Sequence, residues 1–428
     1  MKIPPLSFKS NYYRRNITAV ETDFNNEKQL YPAIEKFNYT FGISFKGLSP
    51  QDNLINICKG MSYENYNASE ENIKNGVFCI DLHSHSCHSD GQGNIPTILT
   101  QAAQYADDLY SKTGKKFTLA LTDHDGVSGV KEALSYINTD KEKFKNLNFI
   151  PGAELSFAFI SDGDIKNAEV LVYFLEPDSR EVNSLINKLR IGRNDMIDGM
   201  IDALGDGYSR KDLDKYFMDG DETYAYNLHN RIRNYAQIKT RINKMSKEFK
   251  MPADKLYSDI MDRYVFRDGY RIQKPFTTPE GLDDFFNENG IYTNTKPIDE
   301  DVDEICKIFY PQIKNGQIVS SSENTLEHII DVLGNNKNVL IGFAHPYFTA
   351  IQMQDYKKGF DELLKIGKGK IIFSENYHQS YPPKILEIDS NRKYIQGVND
   401  YLSSKGLIAI GGRDSHAYNF INPSTYSR

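Results

Sequence analysis

The sequence predicts an α/β fold, a barrel of parallel strands with helices outside, and three observations lead there. Seven short apolar runs are spread along the chain: FCIDLH (78–83), FTLALTDHD (117–125), NFIPGAELS (148–156), EVLVYFL (169–175), VLIGFAHP (339–346), KIIFSEN (370–376) and LIAIGGRDSH (407–416). They are rich in β-branched residues and lack strict polar alternation, as strands buried on both faces do. Helix-like stretches separate several of them, and strand–helix alternation implies a parallel sheet covered by helices. Polar residues gather at the C-terminal end of one run after another, which in an α/β barrel is the rim where active sites are built.

Taken in order, residues 1–77 are polar, with Pro4, Pro5 and an Asn/Tyr-rich stretch before Gly76. NYTFGISF (38–45) reads as a strand, and the segment as an N-terminal extension serving as a small cap, an oligomer contact or a partner site. The first apolar run ends in DLHSHSCHSDG (81–91), which holds three of the nine histidines of the chain. His83 and His85 are two apart at a strand end, so period two points both imidazoles toward the barrel mouth. Asp90 follows in a Ser-Asp-Gly turn, where Gly91 lets the backbone bend sharply. IPTILTQAAQYADDLYSK (95–112) reads as a helix, as does DYKKGFDELLKIG (355–367). His124 sits in TDHD, Glu154 in GAELS, His345 in AHP and Glu375 in SEN. Asp414 and His416, in GRDSH, repeat the two-residue spacing at the last strand end. Alone, any one of these reads as a hydrogen-bonded barrel histidine or a helix-capping aspartate. Together, imidazoles and carboxylates at most strand ends of one chain are the donor set of a divalent-metal centre.

Composition narrows the partners. The chain has 428 residues, 39% hydrophobic and 25% charged, with a formal net charge of −7. That is a globular balance, and an acidic chain is a poor coat for duplex DNA. The four cysteines, Cys58, Cys79, Cys87 and Cys306, form no CxxC pair and fit free thiols in a reducing cytoplasm. The N-terminus has no continuous apolar stretch resembling a signal peptide, and no run reaches the length of a membrane span.

Between the fourth and fifth runs lies a long insertion, about 180–335. NRIRNYAQIKTRINKMSKEFK (230–250) spaces Ile232, Tyr235, Ile238, Ile242, Met245 and Phe249 by three and four, an amphipathic helix. Its other faces carry Arg231, Arg233, Lys239, Arg241, Lys244, Lys247 and Lys250 against one acidic residue, Glu248. This reads either as a solvated face or as a basic overhang that draws an anionic substrate toward the rim. Tyr224, Tyr226, Tyr257 and Tyr264 flank the helix and suit either packing or stacking on a base. Of the remaining histidines, His229 and His328 read as surface or capping residues, His88 (with Cys87) as a bystander, and His378 either as a surface-loop residue or as a group that reaches the rim and protonates a leaving oxygen.

DLHSHS…SDG, LTDHD, PGAELS, FAHP and GGRDSH resemble, in order, the successive motifs of the PHP family of metallohydrolases, named for polymerase and histidinol phosphatase. The resemblance covers 78–179 and 336–428. It implies a distorted (β/α)7 PHP barrel in two parts, interrupted by a mainly helical insertion at 180–335 and preceded by the extension at 1–77. It further implies two or three divalent ions (manganese, zinc or iron) at the rim. His83, His85, Glu154 and Asp414 would hold the first; Glu154 would bridge to a second, shared with His345; Asp90, His124 and His416 would hold the third. The stretch from EVLVYFLEPDS onward is similar to the branch of nucleoside 3′,5′-bisphosphate phosphatases and short-RNA 5′→3′ exonucleases. That branch carries an R-x-x-R pair where this chain has Arg190 and Arg193, which with Arg413 are the expected phosphate contacts. It also has a histidine ligand where this chain has Glu169, making the second site richer in oxygen, with Glu375 a further oxygen donor or a support behind the ligands. The activity implied is hydrolysis of a phosphomonoester or terminal phosphodiester of a nucleotide or short oligonucleotide by metal-bridged hydroxide. The alternatives are amide-type hydrolysis at the same metals, or a nucleotide- or partner-binding scaffold without turnover.

Overall fold

A computed structural model describes residues 48–61, 79–89, 91, 93–189, 199, 252, 264–267, 270–273, 312–319, 324–378 and 389–416. All seven apolar runs are strands of one sheet. β1 (Ile80–Asp81), β2 (Phe117–Leu121) and β3 (Leu147–Ser161) are parallel neighbours. β4 (Asp164–Tyr173) follows, and of the later strands β10 (Leu340–Phe343), β11 (Ile371–His378) and β12 (Ile408–Gly412) complete the order β1-β2-β3-β4-β10-β11-β12. β10, β11 and β12 are parallel to one another. The two ends of the sheet meet: Ser84 bridges Ser415, Leu82 N donates to Gly411 O and His85 N to Ser415 O. The result is a nearly closed, distorted seven-stranded α/β barrel.

One expectation needs correcting. The strand–helix alternation predicts a parallel strand at EVLVYFL, but β4 is antiparallel to both β3 and β10. The reason is local. Only Asp162 and Gly163 separate β3 from β4, with φ of 55° and 85°. Positive φ at both positions makes a tight hairpin turn, whereas a parallel return needs a dozen or more residues. The hairpin runs on past the rim, so Glu154 and Glu169 reach the mouth from the middle of long strands.

The core has two layers. Inside the barrel, Ile80, Ala120, Ile150, Leu171, Tyr173, Leu340, Phe373 and Ile410 form one buried cluster drawn from all seven strands. Tyr173 stacks on Phe373 with ring centroids 4.8 Å apart and donates its hydroxyl to Leu82 O at 2.6 Å. The helix α1 (Pro50–Cys58) inserts Leu54 into the same cluster. Its start is fixed by a capping box between Ser49 and Asp52. Burial, with Cys79 adding to it, pushes the Cys58 thiol up to about 12, so it stays protonated.

The outer layer is laid down by helices. α2 (Ile95–Thr113), capped by Asn94, and α3 (Ser128–Thr139) cover the first strands. Within the stretch read as insertion, the described residues hold two short hairpins, β5 (Tyr264–Arg267) with β6 (Tyr270–Gln273) and β7 (Gln312–Lys314) with β8 (Gln317–Val319). β9 (Asn324–Thr325) pairs with β3 and leads into α4 (Leu326–Leu333). The short α5 (Pro346–Ala350) and then α6 (Tyr356–Ile366), capped by Asp355, and α7 (Asp389–Ser404) follow. Leu326, Ile330, Phe360, Leu363, Val398 and Leu402 pack from these helices against Leu155, Phe157, Val170, Val172 and Phe343 of the sheet. Among the described residues no helix is long and apolar enough to cross a membrane. The basic helix at 230–250, the strand read at 38–45, His229 and Tyr224, Tyr226 and Tyr257 lie outside the described residues.

Candidate metal centre

The seam between β1 and β12 builds the site. It sets His83 and His85, just past β1, beside Asp414 and His416, just past β12. Beneath them Arg413, 1% exposed, donates Nε to Asp81 Oδ2 at 2.7 Å, and its backbone N–H reaches Asp81 Oδ1 at 2.9 Å. Gly412 makes the approach possible: a Cβ there would collide with His83 Cβ and lie 2.6 Å from Glu375 Oε1. Gly91 serves by the same lack of bulk, since a Cβ would run into the His85 carbonyl.

Four donor atoms converge at this seam. His83 Nε2 lies 3.1 Å from His85 Nε2, 3.1 Å from Glu154 Oε2 and 3.4 Å from Asp414 Oδ1. His85 Nε2 lies 3.2 Å from Glu154 Oε2 and 3.0 Å from Asp414 Oδ1. Ligands about 2.0–2.1 Å from a tetrahedral ion are spaced by roughly 3.3 Å, so these residues fit a divalent cation as they stand. Glu154 turns its other oxygen elsewhere: Oε1 is 3.0 Å from His345 Nε2, which is also 3.1 Å from Glu169 Oε2. His124 Nδ1 stands 3.3 Å from Glu154 Oε2 and 3.4 Å from Glu169 Oε1. His85, His124 and His416 form another group whose donor atoms lie close enough for one ion. Their rings are stacked, 4.5 Å apart for His85 and His124 and 4.3 Å for His85 and His416. Glu169 is thus placed among the donors. Asp90, Arg190 and Arg193 fall outside the described residues.

Charge ties the residues of the cluster to one another. Burial disfavours a cationic imidazole at His83, but Glu154, Glu375 and Asp414 outweigh it and hold its pKa well above the usual histidine range. Burial likewise opposes a charged His345, and Glu154 and Glu169 lift it well above that range. Conversely, burial would raise the carboxyls of Glu154 and Asp414, yet the surrounding histidines, His83 foremost, hold both well below the usual range. The same carboxylates that favour a proton on His83 and His345 would favour a cation beside them. Metal loading at neutral pH is expected to release protons to solvent, and metal affinity to fall as pH is lowered, because the histidines must give up their protons to bind. Proton release during a calorimetric titration, repeated in buffers of different ionisation enthalpy, checks this.

Other residues hold the donors in place. Glu375, fully buried, accepts from His83 Nδ1 at 3.0 Å and from the His345 backbone N–H at 2.9 Å. Of the two roles open to it, this favours support behind the ligands, fixing the tautomer that points His83 Nε2 at the site. Glu375→Gln is expected to weaken metal affinity by about 10–100-fold with the fold intact, measured by competition with a chelator. Asp123, which the sequence reading did not single out, accepts from Ser86 N (2.6 Å), Ser86 Oγ (2.8 Å) and Ser89 Oγ (2.9 Å), and so clamps the loop after His85. Its signal was the doubled aspartate of TDHD. Backbone strain gathers at the same rim: His345 and Asp414 have φ of 23° and 50°, in the left-handed region that side chains disfavour.

Two expectations change. Arg413, expected among the phosphate contacts, is buried and paired with Asp81, which occupies its Nε and removes it from the exposed mouth. His378, expected in a surface loop, is fully buried at the end of β11, its Nε2 3.4 Å from Asp414 Oδ2. The run continues two residues further as a strand than its apolar residues suggest. His88 stays apart from the donors, with Nε2 2.6 Å from Glu132 on α3. His328 lies on α4, where its backbone N–H is capped by Thr325.

No family model matches the chain, and no curated protein does. Among solved structures, one from Bifidobacterium adolescentis ATCC 15703, whose activity as a metal-dependent phosphoesterase is itself inferred, aligns at 15% identity and a TM-score of 0.46. An amidohydrolase from Chromobacterium violaceum, solved with sulfate and without metal, aligns at 18% identity and a TM-score of 0.42. Each alignment covers 79% of this chain and 88% of the other. At these values neither neighbour transfers a substrate or a reaction to this chain.

Proposed function

We propose that the chain is a PHP-type metal-dependent phosphoesterase that hydrolyses a phosphomonoester or terminal phosphodiester of a nucleotide or short oligonucleotide. The observation that carries the reading is Glu154, whose two oxygens face two different groups of donors. A carboxylate shared in this way could be held in common by two cations, which together would supply the charge that stabilises the attacking and leaving oxygens of a displacement at phosphorus. When bound, the ions supply Lewis acidity, offsetting charge on the phosphoryl oxygens and making water acidic enough to react near neutral pH. The residues do the positioning. Glu375 orients His83, Asp123 braces the His85 loop, and the Asp81–Arg413 pair keeps the β1 and β12 donors in register. The nucleotide part rests on the sequence, on Arg190, Arg193 and the basic helix at 230–250.

The test is turnover by purified protein loaded with Mn²⁺ or Zn²⁺ on aryl phosphates, 3′,5′-bisphosphonucleosides, short oligonucleotides and amides. Phosphoester cleavage that a chelator abolishes supports the proposal. Bound metal with no phosphoester cleavage, or with amide cleavage alone, sinks it.

Metal choice depends on Glu169. Carboxylate suits manganese or magnesium, whereas imidazole suits zinc. Glu169→His is expected to raise zinc-supported relative to manganese-supported turnover, and Glu169→Ala to lower the bound metal by one ion per chain on elemental analysis. Unaltered metal content and preference in both variants would remove Glu169 from the donor set.

A further inference from the structure

We propose that His378 is a positioning residue that turns the Asp414 carboxylate toward His83 and His85, and that a bulge in β11 aims it there. The proposal rests on the metal-binding part of the phosphoesterase reading and not on the reaction. His378 is fully buried, its Nε2 3.4 Å from Asp414 Oδ2 and 4.0 Å from Glu375 Oε2. The other oxygen of Asp414, Oδ1, lies 3.0 Å from His85 Nε2 and 3.4 Å from His83 Nε2. The carboxylate is thus met on one oxygen by the donor group and on the other by His378. Asp414 stands past the end of β12 with φ of 50°, so the regular strand does not set its direction. A ring this buried, with Nε2 turned to a carboxylate, is placed to orient a donor rather than to meet a substrate.

Strand alternation alone would not bring His378 to this face. Phe373 lies in the barrel core and Glu375 meets His83, so Tyr377 would be the next residue on their side. The pairing with β12 shifts first: Glu375 stands opposite Ile410, but Tyr377 stands opposite Gly411 and His378 opposite Gly412. Asn376 is the extra residue. Without it, Tyr377 rather than His378 would stand opposite Gly412. A bulge drops its extra residue from the ladder and re-aims the side chains that follow, and the displaced backbone needs other partners when it is buried. α7 supplies them. Asn399 Nδ2 donates to Asn376 O at 2.8 Å, and Asn376 Nδ2 donates to Ser403 Oγ at 3.1 Å. Asn376 and Asn399 are both buried, so this polar contact between sheet and helix is part of the core.

The experiment titrates the full, metal-free chain with Co²⁺, reading the visible spectrum, the number of ions bound and, by competition with a chelator, their affinity. Urea midpoints of the metal-free proteins report the fold. His378→Leu is expected to bind as many ions as wild type, with the tightest weakened by about 10–100-fold and its spectrum altered. His378→Gln, whose amide N–H can still reach Asp414, should keep most of the affinity. Asn399→Leu should weaken the same ion, and adding it to His378→Leu should cost little more, because both changes act through one contact. If His378→Leu does not fold, His378→Asn, too short to reach Asp414, reads the same quantity. Wild-type affinity and spectrum in His378→Leu would overturn the proposal, as would a glutamine variant no better than leucine, or additive losses in the double variant. Loss of a whole ion in His378→Leu would also overturn it, by making His378 a ligand. A wild-type chain that binds no Co²⁺ would remove the metal reading and the proposal together, whereas tight binding that ignores His378 would remove the proposal alone.

Discussion

Glu154→Gln is expected to abolish turnover and to cost more than one bound ion per chain. The substitution is nearly isosteric, but its amide nitrogen cannot ligate, and both oxygens of Glu154 are engaged: Oε2 with His83, His85 and His124, Oε1 with His345. Losing one shared carboxylate therefore damages two donor groups at once. Metal clamps supply several kcal/mol of stabilisation to the transition state, so the rate should fall by roughly a thousandfold or more. Elemental analysis after reconstitution, alongside kcat on whichever phosphoester the panel identifies, reads both effects. A variant that keeps its full complement of metal would show that Glu154 bridges nothing. Asp414→Ala combined with His416→Ala is the companion change, removing the β12 donors and leaving the strands intact.

Asp81→Asn should instead strike the fold. It removes the carboxylate that meets the Arg413 guanidinium, 1% exposed, at the seam where the barrel closes. Breaking a buried pair from one side costs about 3–5 kcal/mol, because a charge is left without compensation in a low-dielectric site. The loss should appear as a lower urea midpoint in the metal-free protein. Replacing both partners, Asp81→Asn with Arg413→Met, should recover part of it, since neither charge remains in the buried seam. A single-variant loss below about 1 kcal/mol would mean that water reaches the pair.

Much of this protein was legible in one dimension. All seven strands, and the helices at 95–112 and 355–367, could be read because buried strands and amphipathic helices leave their period in the order of residues. The main donors were legible because a parallel barrel turns its C-terminal strand ends to one face, so histidines and carboxylates far apart in sequence fall together. The direction of β4 was less plain; the Asp162–Gly163 turn specifies it, but the alternation around it suggests the opposite.

What the sequence could not decide was pairing across the closure. Whether Arg413 faces a phosphate or Asp81, whether His378 ends a strand or sits in a loop, and whether Glu375 ligates or holds His83 depend on which atoms lie a few ångströms away. Those neighbours are 332 residues apart for Arg413 and Asp81 and 292 for His83 and Glu375. Burial sets the charge of such groups and their partners set its sign, and both arise only when the chain closes on itself. The sequence by itself determined which side chains reach the rim; the tertiary structure decided which of them stand together and which pack behind their neighbours, because that turns on single interatomic distances.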